Sequence, residues 1–160
     1  MTLISELKEL PVLSIKEAEI ISKISNVYID KTTKTIAYLV FDRINQKSIP
    51  NAINYELISE IGDHFIMILN KSDIEQFIHK KSLNLEEMVE PFDSTVILDK
   101  GHEIGRVIDL EFSVESGEMT KLILDTNKTF TSKQILAISD QHIIVTNHPK
   151  EYTLDTAEDG

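Results

Sequence analysis

The chain has 160 residues, 41% hydrophobic and 27% charged, with a formal net charge of −11 and no cysteine. That balance is globular, too apolar for a disordered chain, and the missing thiols exclude disulfide scaffolds, thiolate metal sites and cysteine nucleophiles, in keeping with a reducing cytoplasm. The negative charge opposes direct binding to RNA or DNA, whose affinity comes largely from phosphate neutralisation, and no apolar run approaches the roughly 18 residues of a transmembrane segment.

Residues 1–20 carry Glu6, Glu9, Glu17 and Glu19 where a secretion signal needs a basic start and an apolar stretch, so a cytoplasmic chain is expected. From about residue 10 the apolar pattern occurs twice. A shift of 83 positions sets Ile21, Ile24, Val27 and Ile29 on Ile104, Val107, Leu110 and Phe112. The same shift sets Ile36, Leu39, Val40, Phe41 and Asp42 on Met119, Leu122, Ile123, Leu124 and Asp125. Further along the shift becomes 77, which places Ile61-Gly62-Asp63 on Ile138-Ser139-Asp140 and Ile66 to Ile68 on Ile143 to Val145. The first copy, residues 10–71, therefore carries six extra residues, read as a longer surface loop within Arg43 to Ile53, around Asn45, Gln46 and Pro50.

Residues 72–92 are predicted to be a helical linker. Ser72-Asp73-Ile74-Glu75 has the form of a capping box opening a helix through about Lys80, and Asn84 to Met88 starts another turn. The second copy, residues 93–148, begins with a strand at Val96 to Leu98 and a turn at Asp99 to His102. Ile108, Leu110, Phe112 and Val114 then alternate with Asp109, Glu111 and Ser113, the period of a strand with one buried face. Glu115 to Glu118 turns the chain into a more apolar strand, Met119 to Leu124, and His142 to Val145 is the last strand. Residues 149–160 form a C-terminal tail, expected to be disordered from Asp155 onward. Short strands of this kind avoid open edges by closing on themselves, so the expected fold is mainly β: two small barrels in tandem with a short helical linker.

His64, His79, His102, His142 and His148 form no helical His pair and have no cysteine companions, so no metal is expected. Asp109 and Glu111 fall on the outward side of their strand, where a solvated carboxyl gains no raised pKa for acid–base work. The serines lack a G-x-S-x-G elbow, and Gly101 to Gly105 lacks the third glycine of a dinucleotide loop. No catalytic residue and no cofactor are expected. The basic clusters Lys31/Lys34 and His79/Lys80/Lys81 read as solvated loops.

The string Gly101-His102-Glu103-Ile104-Gly105-Arg106-Val107-Ile108-Asp109, followed by Glu115-Ser116-Gly117-Glu118 and Leu122-Ile123-Leu124, resembles the hairpin of the PRC-barrel family. The resemblance covers nearly all of the second copy and, more weakly, the first from Pro11 to Leu69, which implies two PRC-type barrels. Gly101 and Gly117 stand where tight turns favour positive φ, and Gly105 where a strand bends; Val107 and Asp109 complete the motif. Ala18, Ser22 and Lys34 replace the three glycines in the first copy, whose turns are expected to differ. The family includes the cytoplasmic domain of the H subunit of photosynthetic reaction centres and a domain of a ribosome-maturation factor that contacts a ribosomal protein. Both use the barrel for docking, and no catalytic set defines the family. The resemblance thus implies a non-enzymatic cytoplasmic adaptor for a protein partner, with the oligomeric state open. Two alternatives stand beside it: an accessory factor in RNA metabolism or ribosome maturation acting through a protein, and a small-ligand binder or enzyme with its site between the barrels. An exposed apolar patch favours the adaptor, and a deep cleft with converging polar groups favours the ligand binder. Modules of about 60 residues are marginal alone, so the two are expected to pack together.

Overall fold

A computed structural model describes residues 2–41, 51–75 and 88–152. The chain opens with β1 (Thr2–Leu3) and a short helix α1 (Ile4–Lys8). The first copy follows as β2 (Pro11–Ser14), β3 (Glu19–Asp30), β4 (Thr35–Phe41), β5 (Ala52–Asn54), β6 (Ile58–Ile61) and β7 (Ile66–Ile68). After β8 (Met88–Val89), the second supplies β9 (Thr95–Leu98), β10 (His102–Phe112), β11 (Met119–Leu124), β12 (Thr129–Thr131), β13 (Ile135–Ile138) and β14 (His142–Val145).

These strands form two sheets of identical order, β5-β4-β3-β2-β7-β6 and β12-β11-β10-β9-β14-β13. The mainly β expectation holds, but each hydrogen-bonded path is open instead of closed into a ring. The strands that end the paths are only three or four residues long, which leaves little unpaired backbone. A single 3₁₀ turn enters β6 at Tyr55–Leu57 and another enters β13 at Ser132–Gln134.

A long strand organises each sheet. Glu19 to Lys23 of β3 pairs with β2, and Ile24 onward pairs with β4; β10 divides likewise between β9 and β11. The handover is a bulge, with a register shift between Val107 and Asp109 in one copy and between Ile24 and Asn26 in the other. The simple alternation predicted from Ile108 to Val114 is corrected here. The extra residue sends Ile108 outward, 50% exposed, while Val107 and Leu110 are both buried. Each copy has a second shift, Glu111/Phe112 and Tyr28/Ile29, at matched positions.

The predicted helical linker is not seen where the structure describes it. Lys71–Asp73 is one 3₁₀ turn, Ile74 is extended, and Glu75 exchanges backbone hydrogen bonds with Ala52, covering the edge of β5. Met88, predicted to lie in a helical turn, is in β8. A capping box needs a following turn of helix to satisfy, and the unpaired edge of β5 competes for the same backbone. The remaining linker positions, the first copy's longer loop through Pro50 and the tail from Asp155 lie outside the described residues. Residues 149–152 form a turn of helix.

The two short strands outside the repeat cross over. β1, which precedes the first copy, pairs with β10 of the second, whereas β8, which precedes the second copy, pairs with β3 of the first. Behind β1, α1 contacts both β3 and β10 and buries Ile4 and Leu7 completely. One continuous core results, joining Val27, Leu39 and Ile66 to Leu110, Leu122 and Val145. Tyr28, Val40 and Ala52 form a smaller cluster, with Tyr38 and Met88 packed against it.

Candidate interaction surfaces

The copies meet through equivalent residues. Ile36 N donates to Gly117 O and Met119 N donates to Lys34 O, both at 2.9 Å. The 83-residue shift turns Lys34 and Ile36 into Gly117 and Met119, so each bond is the image of the other. Thr35 and Glu118, also equivalent, form the antiparallel bridge between them. This is an isologous contact about a pseudo-two-fold axis, contained in one chain.

Lys34 and Gly117 both take positive φ, 58° and 75°, as do Ala18 and Gly101, 53° and 92°. The expectation of different turns in the first copy is therefore corrected at both positions. Lys34 N donates to Asp30 O just as Gly117 N donates to Ser113 O. Asp30 steadies the first turn by accepting from the backbone of Thr32 and Thr33, the local bonding that lets a non-glycine residue hold such a conformation. Lys34 is not in a solvated loop either: its Nζ donates to Ser132 O at 3.1 Å and to Ile135 O at 2.7 Å in the other copy. Burial lowers its pKa.

Across the axis the interaction is reversed. Tyr55, the counterpart of Ser132, projects from the first copy and donates its hydroxyl to Val114 O at 2.7 Å. Its ring meets Phe112 edge-on, at 6.3 Å between centroids, and passes so close to Gly117 that a Cβ there would lie 2.9 Å from Tyr55 Cε1. Burial pushes the hydroxyl's pKa up to about 12. A phenol that ionises at about 10 when unfolded and later when folded contributes stability below pH 10 and loses it as pH rises towards 12. Denaturant titrations of wild type and Tyr55→Phe over that interval are expected to show a steeper fall for wild type; parallel curves would mean that the hydroxyl is not held by the fold.

The other motif residues serve the framework. Gly101 closes the β9–β10 turn, its N–H donating to Leu98 O. Gly105 leaves room for Asp125, whose Oδ1 would lie 2.8 Å from an added Cβ and accepts from Arg106 N at 3.0 Å. Val107 is in the core. Asp109, expected on a solvated face, is half-buried and accepts from both the N–H and the hydroxyl of Ser5, fastening α1 to the second copy. Glu111 accepts from Thr120 Oγ1 at 3.0 Å, so the two carboxylates hold separate elements.

An apolar face separates the copies most clearly. Ile20 and Leu69 are 62% and 55% exposed, Ile15 is exposed beside Leu69, and Leu13 and Met67 lie half-buried between them. Register aligns Ile20, Leu13 and Met67 in one cross-strand row. In the second sheet, Ile97 and Ile144 occupy the middle of the matching row, Glu103 the position of Ile20, Thr146 that of Leu69 and Asp99 that of Ile15. Asp99 there accepts from the hydroxyls of Tyr152 and Thr146, which hold its carboxyl below the usual range. Around the first copy's face the rim is polar, with Lys71 paired to Glu19 at 2.9 Å.

Two clefts accompany these surfaces. One of about 610 Å³ lies at Gly105, lined by residues of opposed charge, Glu103 and Asp125 with Arg106 and Lys128. The other, about 310 Å³, lies between the copies, where β6 faces the turn at Val114, Glu115 and Ser116. His64, His102, His142 and His148 are exposed, and His79 lies outside the described residues. Among the described residues no three His, Cys, Asp or Glu side chains converge on a metal position, and no helix is long and apolar enough to cross a membrane.

Sequence reasoning missed the apolar face and the reciprocal pair at Lys34 and Tyr55. Ile15, Ile20 and Leu69 sit at strand ends, outside the alternating runs, and only comparison with Asp99, Glu103 and Thr146 marks them. Residues 1–74 match the family model of the PRC-barrel domain. That match falls on the first copy, although the glycine-bearing hairpin lies in the second. No curated protein matches the chain.

Proposed function

We propose that this chain, which carries a PRC-barrel domain in residues 1–74, is a non-enzymatic cytoplasmic adaptor whose second copy is a diverged module of the same kind. The exposed apolar face of the first copy carries the proposal. The same fold places Asp99, Glu103 and Thr146 at the matched positions of the second copy, so nothing in the architecture requires Ile15, Ile20 and Leu69 to be apolar. Contiguous exposed apolar residues inside a polar rim are what a protein partner covers. The net charge of −11 directs such binding to proteins and away from nucleic acid.

Exchanging the face for its counterpart tests this reading. Ile20→Glu with Leu69→Thr should leave the melting temperature close to wild type, since neither residue is in the core. In quantitative affinity capture from the native cell, a stoichiometric partner of the wild-type chain should fall by about tenfold or more with the double variant, the loss expected for central contact residues. Equal recovery by both proteins would remove the face from the binding surface.

A further inference from the structure

We propose that the groove between β6 and the Val114–Ser116 turn receives the ammonium group of a lysine carried by an extended, basic segment of a partner protein. This rests on the reading of the chain as a protein-binding module and gives that partner a chemistry.

The pseudo-symmetry supplies an occupied version of the same site. In the second copy the Lys34 ammonium spans the carbonyls of Ser132 and Ile135, at 3.1 and 2.7 Å. The 77-residue shift converts these acceptors into the carbonyls of Tyr55 and Ile58, at the entry to β6. Local geometry is repeated: Ile58 N donates to Tyr55 O as Ile135 N donates to Ser132 O, leaving each carbonyl a second lone pair. The turn that faces them carries Gly117 where the other turn carries Lys34. Among the described residues no side-chain cation reaches the Tyr55 and Ile58 carbonyls; the Tyr55 ring covers Gly117, and Tyr55 and Ile58 both line the 310 Å³ groove.

Charge has diverged in the same direction. Glu56, Glu60 and Glu115 line the groove, whereas the matched positions around the Lys34 site are Lys133, Ala137 and Thr32. One copy thus provides its own cation and few acids, while the other, among the described residues, has no such cation and presents three carboxylates. β6 also ends its strand path, with β7 as its one partner among the described strands. Its outer edge can add an extended peptide through backbone hydrogen bonds while a side chain enters the groove. A lysine suits the two-carbonyl acceptor because its compact ammonium carries three rotatable donors; a planar guanidinium is shaped for a paired carboxylate.

The probe is a capped pentapeptide, Thr-Val-Lys-Val-Thr, titrated into the ¹⁵N-labelled full-length chain at low salt, beside analogues with norleucine or arginine at the centre. With the lysine peptide, amide shifts should be confined to residues 56–61 and 114–117. Affinity should fall at least tenfold with norleucine, several-fold with arginine, and several-fold for the lysine peptide on Glu60→Gln with Glu115→Gln. Absence of shifts, shifts spread over the acidic surface, or equal affinity for the norleucine or arginine peptide would overturn the proposal. The Ile20→Glu, Leu69→Thr protein separates the two readings, because it should bind the peptide like wild type. Loss of capture with peptide binding retained in that variant identifies the apolar face as a distinct surface. Retained capture by the wild-type chain without peptide binding refutes the groove alone.

Discussion

Gly117→Val is expected to lower the unfolding free energy by about 3 kcal/mol, from two additive causes. A β-branched residue at a φ of 75° is strained by about 1–2 kcal/mol. Its Cβ would also stand 2.9 Å from the Tyr55 ring, which is already held by its hydrogen bond to Val114 O and its edge-on contact with Phe112, and overpacking of this kind costs about 1–3 kcal/mol. For a chain of this size the melting temperature should fall by about 6–12 °C. In a Tyr55→Ala background the steric part disappears, so the same valine should cost only the strain. An unchanged melting temperature would show that neither the turn nor the ring constrains this position.

The repeat was legible because burial in β structure leaves an apolar register, and that register survived where turn residues diverged. The central hairpin of the second copy was read from it, whereas the strand order and the bonds between the copies came only with the structure. The bulge at Val107 to Asp109 was not legible: one extra residue converts Ile108 from a core position to a surface one with no change in composition. Lys34 and Ala18 misled for a related reason. Glycine reports positive φ, but its absence does not report the opposite when Asp30 can hold the turn. The role of Asp109 depends on Ser5, a partner in a segment with no counterpart in the repeat. The capping pattern at Ser72 to Glu75 is a local signal that was outcompeted by an edge strand needing partners.

Division of the chain within residues 76–87 should have the larger effect. A module of about 60 residues buries only about 60% of its unfolded surface and is marginal alone. Here each fragment would also carry the strand that belongs on the other: β1 would leave with the first copy, and β8 with the second. In the first fragment Ile4 and Leu7, fully buried in the intact chain, would lose the cover that β10 gives α1 and keep only that of β3. Neither fragment is expected to melt cooperatively by itself. Mixed in equal amounts they should recover the far-ultraviolet spectrum and a single transition, since the missing strands then arrive in trans. Two fragments that each melt cooperatively and do not associate would end the view of a shared core.

Because Thr2 lies opposite Phe112, the crossed strands also impose a timetable on biosynthesis. At ~5–20 residues per second, the template for β1 emerges on the order of 5–20 s after β1 itself. For most of that interval the first copy also lacks β8, which is made before β10, and the apolar side of α1 has no completed second copy to rest on. The nascent chain therefore passes through a stage in which Ile4 and Leu7 lack their cover from the second copy, and a bulky group placed beside β1 would obstruct a late step of folding more than an early one.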